Sequence, residues 1–271
     1  MTPDPLPLRA LIDASPLIDG LPGGVPGNWI AAAEATVGPL PASYRWWLST
    51  YRAGRVGVGV LADVAPPPHH DDTVEDITAG WRRADQDRLW FCAESDGSGD
   101  RYGFALDRPR GAEYEIVIRD PWTGEEEPFA DTFAGFLTVS AARESGFRDG
   151  PVPDLARLWR TGPGVHLDDG TTVYGPHLLT ARNTAHRVRD RAPHWTLVGD
   201  DGAGHGYLTR HHGRDRTSVY RADLGALDAD IAAIGERVTG DLVAWLSELS
   251  ELAQLSDLWR LPDRRPPEAG G

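Results

Sequence analysis

Two stretches of the chain match without a gap at an offset of 105 residues, and no other feature limits the fold as much. Trp90, Asp96, Gly97, Gly99 and Tyr102 in the first stretch are met by Trp195, Asp201, Gly202, Gly204 and Tyr207 in the second. The flanks keep a common order. Each stretch follows a segment of helical pattern, leads into further β-rich sequence and precedes a helix with an aromatic–Leu pair, Phe136-Leu137 and Trp245-Leu246. Self-similarity at fixed spacing marks a duplicated structural unit. The shared segment reads as a β-hairpin. Asp-Gly accepts the positive φ of a tight turn, the second glycine permits a bulge or close approach, and Trp and Tyr fill the core on either side. A glycine loop that cradles phosphate runs into a helix, whereas here a strand follows.

Hydrophobic periodicity supplies the remaining elements. Pro3, Pro5, Pro7, Pro16, Pro22 and Pro26 predict an extended arm over 1–27 rather than a core element. Asn28 is placed as N-cap of a helix through Trp29, Ile30, Ala33 and Val37, and a second helix carries Tyr44, Trp47, Leu48 and Tyr51 until Gly54 ends it. Helices are also expected over Thr73 to Asp85, with Val74, Ile77 and Trp81 inward, and over Asp131 to Arg143. Strands are expected at Arg88 to Ala93, Tyr102 to Leu106 and Glu113 to Arg119. Gly150, Pro151 and Pro153 mark a boundary. Beyond it come a hairpin around Asp168-Asp169-Gly170, a helix from Gly175 to Arg191, and strands at Trp195 to Gly199, Gly206 to Arg210 and Thr217 to Ala222. A long helix from Gly240 to Trp259 closes the series.

The chain of 271 residues carries a net charge of −14, with all 27 basic residues arginine. That balance opposes a phosphate backbone, so a general nucleic-acid binder is not expected. The absence of lysine beside abundant Ala, Gly, Pro and Asp is the bias of a GC-rich genome. A lone cysteine, Cys92, fits a reducing compartment. The first 14 residues lack a secretory pattern, and no stretch reaches the roughly 18 apolar residues of a membrane span. The reading is a soluble cytoplasmic protein.

No chemistry-bearing constellation stands out. His69-His70-Asp71-Asp72 lacks a spaced ligand frame and reads as a loop, with Asp72 capping the next helix; His211-His212 sits among Arg210, Arg214 and Arg216, which disfavour a cation. Cys92 lies in an apolar strand, where a thiol is inert. Ser95 and Ser98 have no nucleophile elbow around them. Paired carboxylates such as Asp168-Asp169 and Asp200-Asp201 fall in solvated turns. No catalytic group, cofactor or metal is expected.

With the helix pair, the helix–strand order and the Trp-x5-Asp-Gly-x-Gly-x2-Tyr hairpin in place, the chain resembles the SUKH superfamily. That group includes a yeast cell-wall assembly regulator and many bacterial immunity proteins. Ile30 to Glu34 and Leu40 to Leu48 look like its opening, Leu89 to Leu106 its central hairpin, and Phe133 to Leu137 its closing helix. The expected fold class is α+β: two tandem SUKH-like units, each a mainly antiparallel sheet flanked by helices. The expected division is an arm at 1–27, a first domain at 28–146, a second, shorter domain at 147–260 that lacks the opening helix pair, and a flexible tail at 261–271.

The resemblance implies a non-catalytic protein binder. Its immunity-type form neutralises a cognate toxin, such as a basic nuclease, by direct contact; the alternative is a regulatory scaffold of cell-wall or signalling partners. An acidic surface competes for a phosphate-gripping face and steers encounter. Asp96, Asp100, Glu125, Glu126 and Glu127 are therefore the expected partner-binding residues, and Gly97, Gly99, Gly202 and Gly204 are read as structural.

Overall fold

The structure is a computed structural model and describes residues 6–66, 76–78, 87–94, 99–147, 150–167 and 169–250. Its first elements overturn the extended N-terminal arm. Leu8, Leu11 and Ile12 form the buried stripe of helix α1 (Leu6–Ala14), and strand β1 (Ile18–Pro22) pairs antiparallel with β2 (Tyr51–Val56). The prolines punctuate these elements. Pro7 sits in the first turn of α1, Pro22 ends an edge strand and Pro26 precedes the next helix, all places where a missing N–H costs little.

Helix α2 (Gly27–Val37) has Pro26, not Asn28, at its cap position. Helix α3 (Ala42–Thr50) buries Tyr44, Trp47 and Leu48 and runs directly into β2. Gly54 therefore lies inside a strand rather than ending a helix. A Cβ there would meet the Asp19 carbonyl oxygen at 2.5 Å and the Trp47 ring at 2.7 Å, so close packing requires glycine. Strands β3 (Gly59–Leu61), β4 (Arg88–Glu94), β5 (Arg101–Arg110), β6 (Glu113–Arg119) and β7 (Glu126–Ala130) complete a seven-stranded antiparallel sheet in chain order. Helix α4 (Phe133–Glu144) closes the unit, capped by the Thr132 hydroxyl accepting from the Gly135 amide at 2.8 Å. Of the helix expected over Thr73 to Asp85, only Ile77 and its neighbours are described, and Ile77 is buried; Val74, Trp81 and the His69–Asp72 cluster lie outside the described residues.

The second unit follows a parallel order: α5 (Pro153–Trp159), β8 (Val165–His166), β9 (Thr172–Val173), α6 (Pro176–Ala185), α7 (Val188–Arg191), β10 (Trp195–Asp200), β11 (His205–Arg210), β12 (Val219–Asp223), α8 (Ile231–Ile234), β13 (Glu236–Thr239) and α9 (Leu242–Ser250). The helix expected from Gly175 to Arg191 is broken, because Arg187 takes a left-handed φ of 52°. Its six strands form an antiparallel sheet from β8 to β13 in chain order. The fold is α+β, with two antiparallel sheets flanked by helices. No described helix is long and apolar enough to cross a membrane.

Each sheet has its own core, and α4 serves both: Ala141 belongs to the first cluster and Ala142 to the second. The junction is tight. Thr132 donates to the Thr161 carbonyl at 2.6 Å, the Asp131 amide donates to the Arg160 carbonyl at 2.8 Å, and a Cβ on Gly135 would fall 1.7 Å from that same carbonyl oxygen.

The repeat has a physical core. Tyr102 on β5 meets Phe136 of α4 at 5.0 Å between ring centroids, and Tyr207 on β11 meets Trp245 of α9 at 5.0 Å, both near-perpendicular at 61° and 60°. The tryptophans do not follow suit. Cys92 faces Tyr102 across the first hairpin, whereas Gly199 faces Tyr207 across the second, so the second hairpin closes two residues tighter. A two-residue difference slides the pairing along the strands without turning side chains to the other face. Trp90 packs apart from the main core, with Ala105 and Val117, under the Arg119 guanidinium at 4.5 Å. Trp195 lies inside the second core, edge-on to Tyr220 at 5.3 Å. Only one of the two tryptophans fills the main core as the repeat predicted.

Candidate functional site

An antiparallel meander sends alternate turns to the same end of the sheet, and in the first unit the β2–β3, β4–β5 and β6–β7 turns gather there. The β6–β7 turn is rigid. Asp120 Oδ1 accepts the Trp122 amide at 2.6 Å and the Thr123 amide at 3.0 Å, while its carbonyl accepts the Gly124 amide at 2.9 Å. Gly124 supplies the positive φ of 72° that the turn needs, and Thr123 Oγ1 accepts the Glu125 amide at 3.2 Å. The product of this wiring is Trp122, held at the tip with 84% of its surface exposed.

Most of the expected acidic residues group around that tip. Gly99, in the β4–β5 turn, has its Cβ position 3.2 Å from Pro121, so Asp100 lies on the turn adjoining Trp122. Glu125 and Glu127 are exposed on the tip and the following strand. Glu126 is committed elsewhere: it accepts from Arg88 Nε at 3.0 Å and Arg119 Nη2 at 2.6 Å, and Arg88 also pairs with Asp107 at 2.5 Å. Its charge is locally neutralised. Asp96 lies outside the described residues. Sequence reasoning passed over Trp122; the signal was an aromatic side chain inside an Asp-Pro-x-Thr-Gly turn, where no core periodicity demands one.

The other perturbed groups are occupied with folding. Glu113 is 5% exposed and accepts from the Ser43 amide at 2.6 Å and the Ser43 hydroxyl at 2.9 Å; it is also bonded by the Phe133 amide. One carboxylate thus anchors the first turns of α3 and α4. Burial pushes its pKa up to about 7, against those hydrogen bonds. The second unit repeats the device from a different element: buried Asp154 of α5 accepts the Leu242 amide at the start of α9 at 2.7 Å, and burial raises its pKa too. The repeated Asp201 fixes its own turn by accepting the Ala203 and His205 amides at 2.9 and 3.0 Å, and pairs with Arg221 at 2.7 Å. Cys92 is buried, 4% exposed. Among the described residues, no group of three or more His, Cys, Asp or Glu side chains is arranged to hold a metal ion.

Residues 24–139 match the model of the SMI1 / KNR4 family (SUKH-1). Over those residues the first unit is similar to the SUKH-1 family. The match opens just before α2 and ends within α4, so it covers strands β2 to β7 with the Trp122 turn, leaves out β1 and does not extend into the second unit. No curated protein matches the chain.

Proposed function

We propose that this is a non-catalytic, cytoplasmic protein-binding protein of the immunity type, which neutralises a basic toxin domain through the turn end of its SUKH sheet. The observation that carries the reading is Trp122, an exposed tryptophan on a pre-formed turn amid Asp100, Asp120, Glu125 and Glu127. Tryptophan is the side chain most enriched at binding hot spots, where one residue contributes about 2–4 kcal/mol. Because the turn is already ordered, docking carries little entropic cost. The carboxylates around it attract a cationic face and raise the encounter rate. On the same reading the second unit is a further, shorter SUKH-like domain over 147–260, whose role is to complete the α4 junction.

The test is capture of partners on the tagged protein in its own host at low and high salt, beside a variant carrying Trp122→Ala, Asp100→Asn, Glu125→Gln and Glu127→Gln. The expected result is one basic partner near 1:1, weakened by salt and lost from the variant. Several substoichiometric partners shared by both proteins would favour the scaffold alternative.

A further inference from the structure

The second unit carries a charge pole opposite to that of the tip. Where α7 leads into β10 and β11 leaves for β12, Arg189, Arg214 and Arg216 stand in sequence beside His194, His211 and His212. The carboxylates of these segments are engaged, Asp190 with Arg187 at 3.1 Å and Asp215 with the Ser218 amide at 3.0 Å. The His211 imidazole is held below its ordinary pKa, first by burial and then by the neighbouring His212, His194 and Arg216. Alongside lies an open cleft of about 900 Å³. Phe147, Pro151 and Pro193 give it apolar walls, and Arg189 and His212 are among its lining residues. Its lining carries Arg187 and Arg189 against the single carboxylate of Asp190, and in a protein of net charge −14 this locally positive lining is suited to an acidic occupant with an apolar anchor.

The same chain presents such an object. Trp122 is the anchor, and Asp100, Asp120, Glu125 and Glu127 are the acids around it. Glu144, at the end of α4, lines a groove with Gly57 of the β2–β3 turn, and Phe147, three residues later, lines the cleft. In a single copy Trp122 remains exposed, so the cleft is not filled from within.

We propose that the cleft of the second unit receives the Trp122 tip of a second copy of this chain, and that two copies dock reciprocally, tip into cleft. Reciprocal contacts close the assembly at two copies. The pair shelters the binding tip until a partner displaces it. The inference shares that tip with the proposed function but needs no partner, so each reading can fail without the other.

The test is sedimentation of the purified full chain from micromolar to submillimolar concentration. The wild type is expected to move from monomer to dimer. Trp122→Ala and the cleft variant Arg189→Glu/His212→Glu, all at exposed positions, are each expected to weaken association roughly tenfold or more. Mixing the two variants supplies one intact tip and one intact cleft, and is expected to restore a mixed dimer through a single contact. A wild type that stays monomeric, a Trp122→Ala protein that dimerises normally, or a mixture that stays monomeric would overturn the proposal. A monomeric wild type that binds pyrophosphate, with binding lost in the cleft variant, would assign the cleft to a small anion instead.

Discussion

The two units share a plan and differ in how they fill it. Both run a hairpin, a four-strand meander and a closing helix, and in both a tyrosine of the meander meets an aromatic ring of that helix. The first core is aromatic. Phe91 stacks on Phe104 at 4.3 Å and meets Phe136 at 5.1 Å, while Tyr44 lies 4.9 Å from Phe133. The second core is largely aliphatic, with Leu155, Leu179, Leu197, Leu208 and Leu242 buried around Trp159 and Tyr174. There a side chain also does backbone work: Asn183 accepts from the Leu197 amide at 2.9 Å and donates to its carbonyl at 2.8 Å, sealing the part of β10 that β9 does not cover. A duplicated fold thus keeps the contacts that set its topology and is free to change packing, turn length and surface charge.

The largest expected effect tests the packing contrast. Phe133 and Leu242 both open closing helices and both are fully buried. Phe133→Ala is expected to cost about 3–5 kcal/mol in denaturant unfolding, and Leu242→Ala less, about 2–3 kcal/mol, since fewer contacts are lost. Equal costs would break the contrast between the cores.

The next effect is a pH dependence. The Glu113 carboxyl titrates near 7 in the fold against an ordinary value of 4.5. Between those values the folded state keeps a proton that the unfolded state releases. Its contribution to stability therefore falls as pH rises, by about 3 kcal/mol once pH exceeds the folded value. Glu113→Gln keeps the acceptor for Ser43 and is expected to flatten the stability profile between pH 5 and 8, read by thermal unfolding across a buffer series. Asp154→Asn is expected to act in the same direction for the second unit, because its shift has the same sign and cause. A steep slope that survives both substitutions would place the dependence elsewhere.

The smallest effect concerns the repeated turn. Partial burial acts to raise the Asp201 pKa, but the bonds from Arg221 and the His205 and Ala203 amides outweigh it and hold the carboxyl below its ordinary value. Its contribution is therefore present at neutral pH and lost as pH falls through that lowered value. Asp201→Asn keeps the amide contacts and loses the ion pair, so Tm is expected to drop by only roughly 2–3 °C at neutral pH. A large loss would show that the turn nucleates the hairpin rather than decorating it.

How far the sequence could be read follows from the range of each interaction. Strand β6, helix α4 and both central hairpins are encoded by local alternation, capping and turn residues, and they stand where periodicity placed them. Strands β1, β2 and β3 are short, glycine- or proline-bearing and held by neighbours, so their sequences carried little signal. The two-residue difference between hairpins is invisible in an ungapped match, because register depends on what each face packs against. At the site, the acidity of the turns was legible. The capture of Glu126 by Arg88 was not, since 38 residues separate them and only the sheet brings them together. Trp122 was visible as a letter, but its exposure is a tertiary fact.

The most direct test of the account is hydrogen–deuterium exchange on the protein with and without its captured partner. Protection is expected over the β4–β5 turn and residues 120–127 of the first unit, with the α9 end of the second unit unchanged. Protection confined to the second unit, with exchange at 120–127 unaltered, would contradict the claim that the Trp122 tip is the binding surface.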